Sequence, residues 1–292
     1  MTNILNNIKK DFKYGTILNK LIYINAGIFL AVSILDVFSF MFQFNIRPLL
    51  NKFYLSANLS ILMKQPWSFI SYMFLHNGFL HLLFNMLWLQ FSGRLFLQYL
   101  KPKQLLSTYI IGGLFGGILF IIAYNYVPVF QPLTTGASAV GASASVFAIM
   151  VAIATYTPNY AVQLPFIGFV KLKYLAIFMV ILDILSIPKG NAGGHIAHLG
   201  GALFGYLYVK QLQKGKDLSI NFSNLLDKFI SPLKTRRKPK KVYKRSESDY
   251  KFNEEKAIRQ KEIDNILEKI ANSGYESLSK EEKAILFSAS KK

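Results

Sequence analysis

Six apolar stretches, at about 21–42, 79–99, 105–126, 143–157, 172–188 and 194–212, constrain this chain more than any other feature. Hydrocarbon offers backbone N–H and C=O groups no partner, so only helices or closed barrels cross it. One helical crossing takes roughly 17–25 apolar residues, and the fourth stretch falls short of that. A short helix is tolerable when neighbours surround it and its end opens into a water-filled cavity. At 52% hydrophobic residues and a mean hydropathy of +0.30, the chain is too apolar for an ordinary soluble domain. The expectation is an all-α membrane protein of six spans with a short fourth helix.

The formal charge of +19 is uneven, and its distribution gives it meaning. Lys9, Lys10, Lys13 and Lys20 precede the first stretch. Arg94, Lys101 and Lys103 flank the second connection, and Lys171 and Lys173 close the fourth. The third connection, about 127–142, has no Lys or Arg, and the fifth has only Lys189. The positive-inside rule then places both termini in the cytoplasm. No small-residue cleavage site follows the first apolar stretch, so it reads as a retained span rather than a signal peptide. The expected organisation is a cytoplasmic segment over 1–20, a six-span domain over 21–212, a basic cytoplasmic linker over 213–252 and a C-terminal helical hairpin over 253–292.

This topology starts spans 2, 4 and 6 outside. It brings His81 and Asn85, Ser143, and His195 and His198 to one depth on one side of the membrane. Polar groups inside a membrane are expensive and call for a reason. His81 and Asn85, in "HLLFN", are spaced i, i+4 and share a helix face. They could tie helices together, or they could aim donors at a developing negative charge. Gly201 and Gly205 follow His198 at a spacing that admits close helix approach.

"TTGASAVGASASVFA" (134–148) holds three serines, Ser138, Ser143 and Ser145. Alone, they read as small packing residues. With a histidine at equal depth one of them reads as a nucleophile, because serine needs a base within hydrogen-bond reach. A serine at a helix start also lies beside unpaired backbone N–H groups that can hold an oxyanion. A metal is the weaker reading. His81, His195 and His198 could supply three imidazoles, but no carboxylate lies in obvious range to support them.

"HLLFN", "GASASVFAI" and "AHLGGALFG" together, in this order, resemble the rhomboid family of intramembrane serine proteases over roughly residues 20–210. The resemblance implies a six-helix bundle with a short fourth helix and a Ser–His dyad without cofactor or metal. It implies Ser143 as nucleophile rather than Ser138, His198 as general base rather than His195, and His81 and Asn85 as the oxyanion-stabilising pair. It implies membrane-protein substrates cut near the outer end of their helix. Phe147 could stack on His198 or merely fill the core. Asp183 invites a triad reading, but the family uses a dyad, and an interface hydrogen bond is the expectation for it.

Three departures stand out. Trp67-Ser68 replaces the family's frequent Trp-Arg, Arg94 and Gln98 stand where an acid often follows the span-2 glycine, and Ala144 replaces a frequent glycine. A rhomboid-like protein that binds or escorts clients without cutting them is the alternative; both Ser143 and His198 argue against it. A transporter would want an inverted repeat and charges at midplane, and the sequence has no such repeat.

The tail carries "KTRRKPKKVYKR" (234–245). Its expected partner is anionic lipid headgroups, at about 1 kcal/mol per residue near the surface, and not nucleic acid, since no nucleic-acid fold accompanies it. Ile263, Ile266, Leu267 and Ile270 form an apolar stripe, and "SKEE" (279–282) opens a second short helix with a capping box. A protein partner for this hairpin is an expectation, and a bacterial inner membrane is the expected location.

Overall fold

The computed structural model describes residues 14–220, Phe166 apart, and residues 247–290, with residues 6, 12 and 222 as isolated positions. Lys9, Lys10, Lys13 and the polybasic stretch 234–245 lie outside the described residues. Two compact units divide the chain, Met1–Ser231 and Pro232–Lys292.

In the first unit a helix occupies each of the six apolar runs. Helix α1 (Ile17–Met41) starts four residues before the expected span because Thr16 caps it, its side chain accepting from Asn19 N–H at 3.2 Å. The connection after it is built rather than loose. It holds α2 (Arg47–Leu50), strand β1 (Leu55–Ser56), α3 (Leu59–Lys64) and α4 (Ser68–Ser71). Asn58 caps α3 by accepting from the Ser60 and Ile61 N–H groups at 2.9 and 3.3 Å. Trp67 Nε1 donates to the Lys52 carbonyl at 2.8 Å, so this tryptophan still anchors the connection without the arginine. Then come α5 (Phe79–Tyr99) and α6 (Pro102–Tyr126). Strand β2 (Ser138–Ala139) pairs antiparallel with β1, Leu55 facing Ala139 and Ser56 facing Ser138. Helix α7 (Ser143–Tyr156), the hairpin β3 (Ala161–Leu164) and β4 (Gly168–Lys171), α8 (Leu172–Ser186) and α9 (Ala192–Gln213) complete the unit.

Ile17–Met41 and Pro102–Tyr126 are long and apolar enough to cross a membrane by length and composition. Around the bundle, Leu30, Val37, Leu80, Phe84, Phe178, Leu182, Leu203 and Leu207 are exposed, while equally apolar side chains fill the core. Apolar inside and outside is the pattern of a helix bundle whose outer solvent is lipid. Helix α7, too short to cross alone, is the central one. Nearly all of it from Ala144 to Ala154 is buried, and α5, α6, α8 and α9 pack against it.

Close backbone approach makes this burial possible. On one side of α7, a Cβ at Gly112 would lie 2.2 Å from Ala148 Cβ, and one at Gly116 would lie 2.6 Å from Ala144 Cβ. On the other side, a Cβ at Gly201 would lie 2.0 Å from the Ala144 carbonyl oxygen, and one at Gly205 would lie 2.2 Å from that of Ala148. Two small residues of α7 are thus gripped between two glycine pairs, each with three residues between. Lipid supplies little hydrophobic drive between helices, so such van der Waals fits and buried hydrogen bonds hold the bundle. Asn25 Nδ2 donates to Tyr109 Oη at 3.1 Å, Tyr109 Oη to the Met73 carbonyl at 3.0 Å, and Tyr72 Oη to the Gly113 carbonyl at 2.6 Å. These tie α1 and the first connection to α6. At the far end Asp217 accepts from Gln104 Nε2 at 2.8 Å, Tyr208 Oη at 3.3 Å and Ser219 N–H at 2.9 Å. Partial burial works to raise its pKa, but hydrogen bonds from Ser219, Gln104 and Tyr208 outweigh it and hold the carboxyl below its ordinary range.

In the second unit α10 (Glu247–Ser273) begins six residues before the expected start, and α11 (Lys280–Ser290) follows. Ser279 N–H donates to Glu282 Oε2 at 2.7 Å and Glu282 N–H to Ser279 Oγ at 3.2 Å, the reciprocal capping expected of "SKEE". Lys269 Nζ sits 2.9 Å from Glu282 Oε1. Ile266 and Leu278 are buried, whereas Leu267, expected in the same stripe, faces outward.

Replacing Gly205 with alanine forces a Cβ against helix backbone, and overpacking of this kind costs about 1–3 kcal/mol. Gly27 has nothing within 4 Å of the same atom. Thermal unfolding in detergent should therefore show a lowered Tm for Gly205→Ala and none for Gly27→Ala; equal midpoints would contradict the packing.

Candidate active site

A cavity of about 570 Å³ opens at the end of the bundle where α5, α7 and α9 begin. Its walls include His81, Asn85, Ser143 and His198, four of the five residues expected at one depth, together with Tyr72, Phe147 and Asn191.

The three serines separate cleanly. Ser138 is exposed in β2, held by the pairing with Ser56, and borders the cavity mouth. Ser145 is fully buried with no hydrogen-bond partner for its hydroxyl, and its Oγ lies 2.6 Å from where a Cβ of Gly113 would be. That side chain packs against α6. Ser143 is the first residue of α7, in the turn whose N–H groups lack intrahelical acceptors.

What places Ser143 is the turn before it. Gly141 has φ +131°, a conformation that L side chains rarely adopt, and its N–H donates to the Tyr72 carbonyl at 2.9 Å. A Cβ there would lie 2.8 Å from His81 Cε1, 2.9 Å from His81 Nε2 and 3.5 Å from Ser143 Oγ. The missing side chain is therefore what lets the chain pass between imidazole and hydroxyl. Asn85, one turn below His81, donates one amide hydrogen back to the His81 carbonyl at 2.8 Å. This fixes its rotamer and leaves its second hydrogen for the cavity. His76 meets His81 edge to face, with ring centroids 5.1 Å apart. Burial first, and the neighbouring His81 second, push the His76 imidazole down to about 4, so it is neutral at neutral pH.

His198 is held from two sides. Phe147 stacks on its ring at 4.6 Å between centroids and 15° between planes. At the ring edge Asp183 Oδ1 lies 3.0 Å from His198 Nδ1. The expectation that no carboxylate stands in range of these histidines is wrong. Asp183 is buried in α8, and the same Oδ1 lies 2.6 Å from His195 Nδ1. His81 lies beside Gly141 and is not part of this group; among the described residues Asp183, His195 and His198 come together instead. A carboxylate can only accept, so its contact with Nδ1 calls for the tautomer with hydrogen on Nδ1 and a free lone pair on Nε2. His195 is not among the cavity-lining residues.

Sequence reasoning raised a triad role for Asp183 and set it aside for an interface hydrogen bond; the contact it makes runs from α8 to both histidines of α9, and the Gly112/Gly116 half of the grip on α7 was missed. The aspartate in an apolar run was visible. Its reach was not, because it depends on the turn between α8 and α9, where Gly190 has φ +122° and Asn191 φ +50°. "GGLFGG" (112–117) was a readable signal for close approach.

Comparison with known proteins points one way. The rhomboid-domain family model matches residues 63–214, more than half of the 292-residue chain, and a family of unknown function, DUF6576, matches residues 247–292. RHOMBOID-like protein 12, mitochondrial, of Arabidopsis thaliana is 29% identical over 205 residues, covering 67% of this chain and 58% of its own length. Rhomboid protease GlpG of Yersinia pseudotuberculosis and of Yersinia pestis are each 30% identical over 146 residues, covering 49% of this chain and 47% of theirs. The chain therefore spans about half the length of these relatives. On the breadth of the family match, this chain belongs to the rhomboid family.

Proposed function

We propose that this protein is an intramembrane serine endopeptidase that cuts transmembrane segments of membrane proteins near their outer end. One observation supports it above the rest: Ser143, at the unpaired first turn of α7, shares a cavity wall with His198, whose Nδ1 is held by a buried carboxylate. In this reading Ser143 Oγ attacks the peptide carbonyl while His198 Nε2 takes its proton. The new oxyanion is held by Ser143 N–H, Asn85 Nδ2 and His81, each such donor being worth about 2.7–4 kcal/mol of barrier. The proton then passes to the leaving amine, and water, deprotonated by His198, releases the acyl group. Asp183 touches no reacting atom. It acts through His198 as a positioning residue, keeping hydrogen on Nδ1 and balancing the imidazolium that forms.

The proposed topology is six crossings over 21–212 with both termini in the cytoplasm, in a bacterial inner membrane. Within it, segment 1–20 is cytoplasmic, the basic linker 213–252 faces anionic headgroups, and 253–292 forms a hairpin module that docks a protein partner. Bound helices must unwind near the cut, so substrates carry small or helix-weakening residues there.

Cleavage of a membrane-span reporter in reconstituted vesicles tests the assignment. Ser143→Ala and His198→Ala should each abolish turnover, Asn85→Ala should lower kcat by about 10²–10³, and Ser138→Ala should leave it intact. Survival of cleavage in Ser143→Ala would overturn the nucleophile. Asp183→Asn should lower kcat while KM and Tm stay near wild type; parallel loss of Tm would reduce Asp183 to a structural group.

A further inference from the structure

Asp183, His195 and His198 are more than a hydrogen-bonded set. Their ligand atoms all lie within 4.8 Å of one another, with Asp183 Oδ1 2.6 Å and 3.0 Å from the two imidazole nitrogens. His195 and His198 are i, i+3 on one helix, and the carboxylate comes from the helix before it. We infer that these three residues bind a divalent transition-metal cation of the Zn²⁺ type, and that its binding switches the peptidase off.

Three observations carry the site. First, the spacing fits. Tetrahedral zinc with bonds of about 2.0–2.2 Å keeps its ligands about 3.3 Å apart, and the present separations, 2.6 and 3.0 Å from the carboxylate and at most 4.8 Å throughout, bracket that spacing. Second, Asp183 Oδ2 is buried with no hydrogen-bond partner. A carboxylate oxygen shut away from water without a donor is unfavourable, and a cation among the three side chains would give it one. Third, two imidazoles and one carboxylate suit zinc and its neighbours, whereas calcium and magnesium take oxygen-rich shells. The histidine side chains retain 23% and 17% exposure, and His198 also borders the cavity.

The switch follows from counting hydrogens on one ring. In the metal-free arrangement Asp183 accepts the Nδ1–H of His198, and the Nε2 lone pair faces the cavity. A cation needs the Nδ1 lone pair. A neutral imidazole carries a single N–H, so its hydrogen relocates to Nε2 through water. There it can donate but cannot accept the Ser143 proton. Asp183 changes from hydrogen-bond acceptor to ligand. No residue has to leave the cavity, and removing the cation restores the base. The inhibition rests on the peptidase reading; the binding does not.

The test uses the full chain in detergent, stripped with EDTA. Zn²⁺ binding is measured by metal analysis after gel filtration, and Co²⁺ binding by the visible bands of a tetrahedral site. Reporter cleavage is followed alongside. The expected result is one equivalent bound, tetrahedral Co²⁺ bands, and cleavage lost with Zn²⁺ and regained with EDTA. His195→Ala, and His195→Asn if the alanine variant fails to fold, should lose the bands and cleave regardless of Zn²⁺. Asp183→Asn should also lose the bands, while His76→Ala should keep them. Absence of stoichiometric binding, or bands that survive both His195 and Asp183 variants, would overturn the site. Bound metal with undiminished cleavage would overturn the switch. Bands that vanish in the variants of a protein with no cleavage in any form would support the site and count against the peptidase reading instead.

Discussion

Everything at the candidate site hangs on α7 being held where its backbone touches two others. Ala144 and Ala148 are gripped between Gly112 and Gly116 on one side and Gly201 and Gly205 on the other. A single methyl at any of these four glycines would meet an atom closer than any ordinary contact. Because lipid gives helices little reason to associate, this fit substitutes for the hydrophobic effect. It also sets the depth of Ser143, one residue before the first gripped alanine, and it brings His198, three residues before Gly201, to the same level. Packing and chemistry are therefore one constraint, and a side chain that loosened the grip would move the hydroxyl with it.

The polar elements around this grip act at different ranges. Gly141 lets the chain turn between His81 and Ser143, and Tyr72 holds that turn through its carbonyl and α6 through its hydroxyl. Phe147, one turn beyond Ser143 on the same helix, presses on the His198 ring. Asp183 fixes the ring at its edge, through Nδ1. The imidazole is therefore held on one face by an aromatic ring and at Nδ1 by a carboxylate, which restricts both its rotation and its tautomer. A proton acceptor needs that degree of order to work without reorganising. The same clamp, with His195 added, offers a cation three ligands.

Much of this was legible in the sequence, for physical reasons. The apolar runs named their helices because hydrocarbon leaves backbone no alternative. The shortness of the fourth run foretold its burial. Alternation of basic and uncharged connections placed His81, Asn85, Ser143, His195 and His198 at one end, and one cavity is lined by all of them but His195. What stayed hidden needed three dimensions. Thr16 moves the start of α1, and α10 runs back to Glu247, because helices extend through polar residues that hydropathy ignores. Leu267 faces out although its spacing places it beside Ile263, Ile266 and Ile270. The contact of Asp183 with two histidines depends on a turn with positive φ at Gly190 and Asn191, and no helical periodicity carries across such a turn.

The central claim is that Ser143 is an activated nucleophile and not a packing residue. The most direct measurement is mass-spectrometric mapping of a fluorophosphonate adduct on the detergent-solubilised protein. The account predicts a single adduct on Ser143 that is absent from His198→Ala, with Ser138 and Ser145 unmodified. An adduct on Ser138, or equal labelling of Ser143 with and without His198, would contradict it.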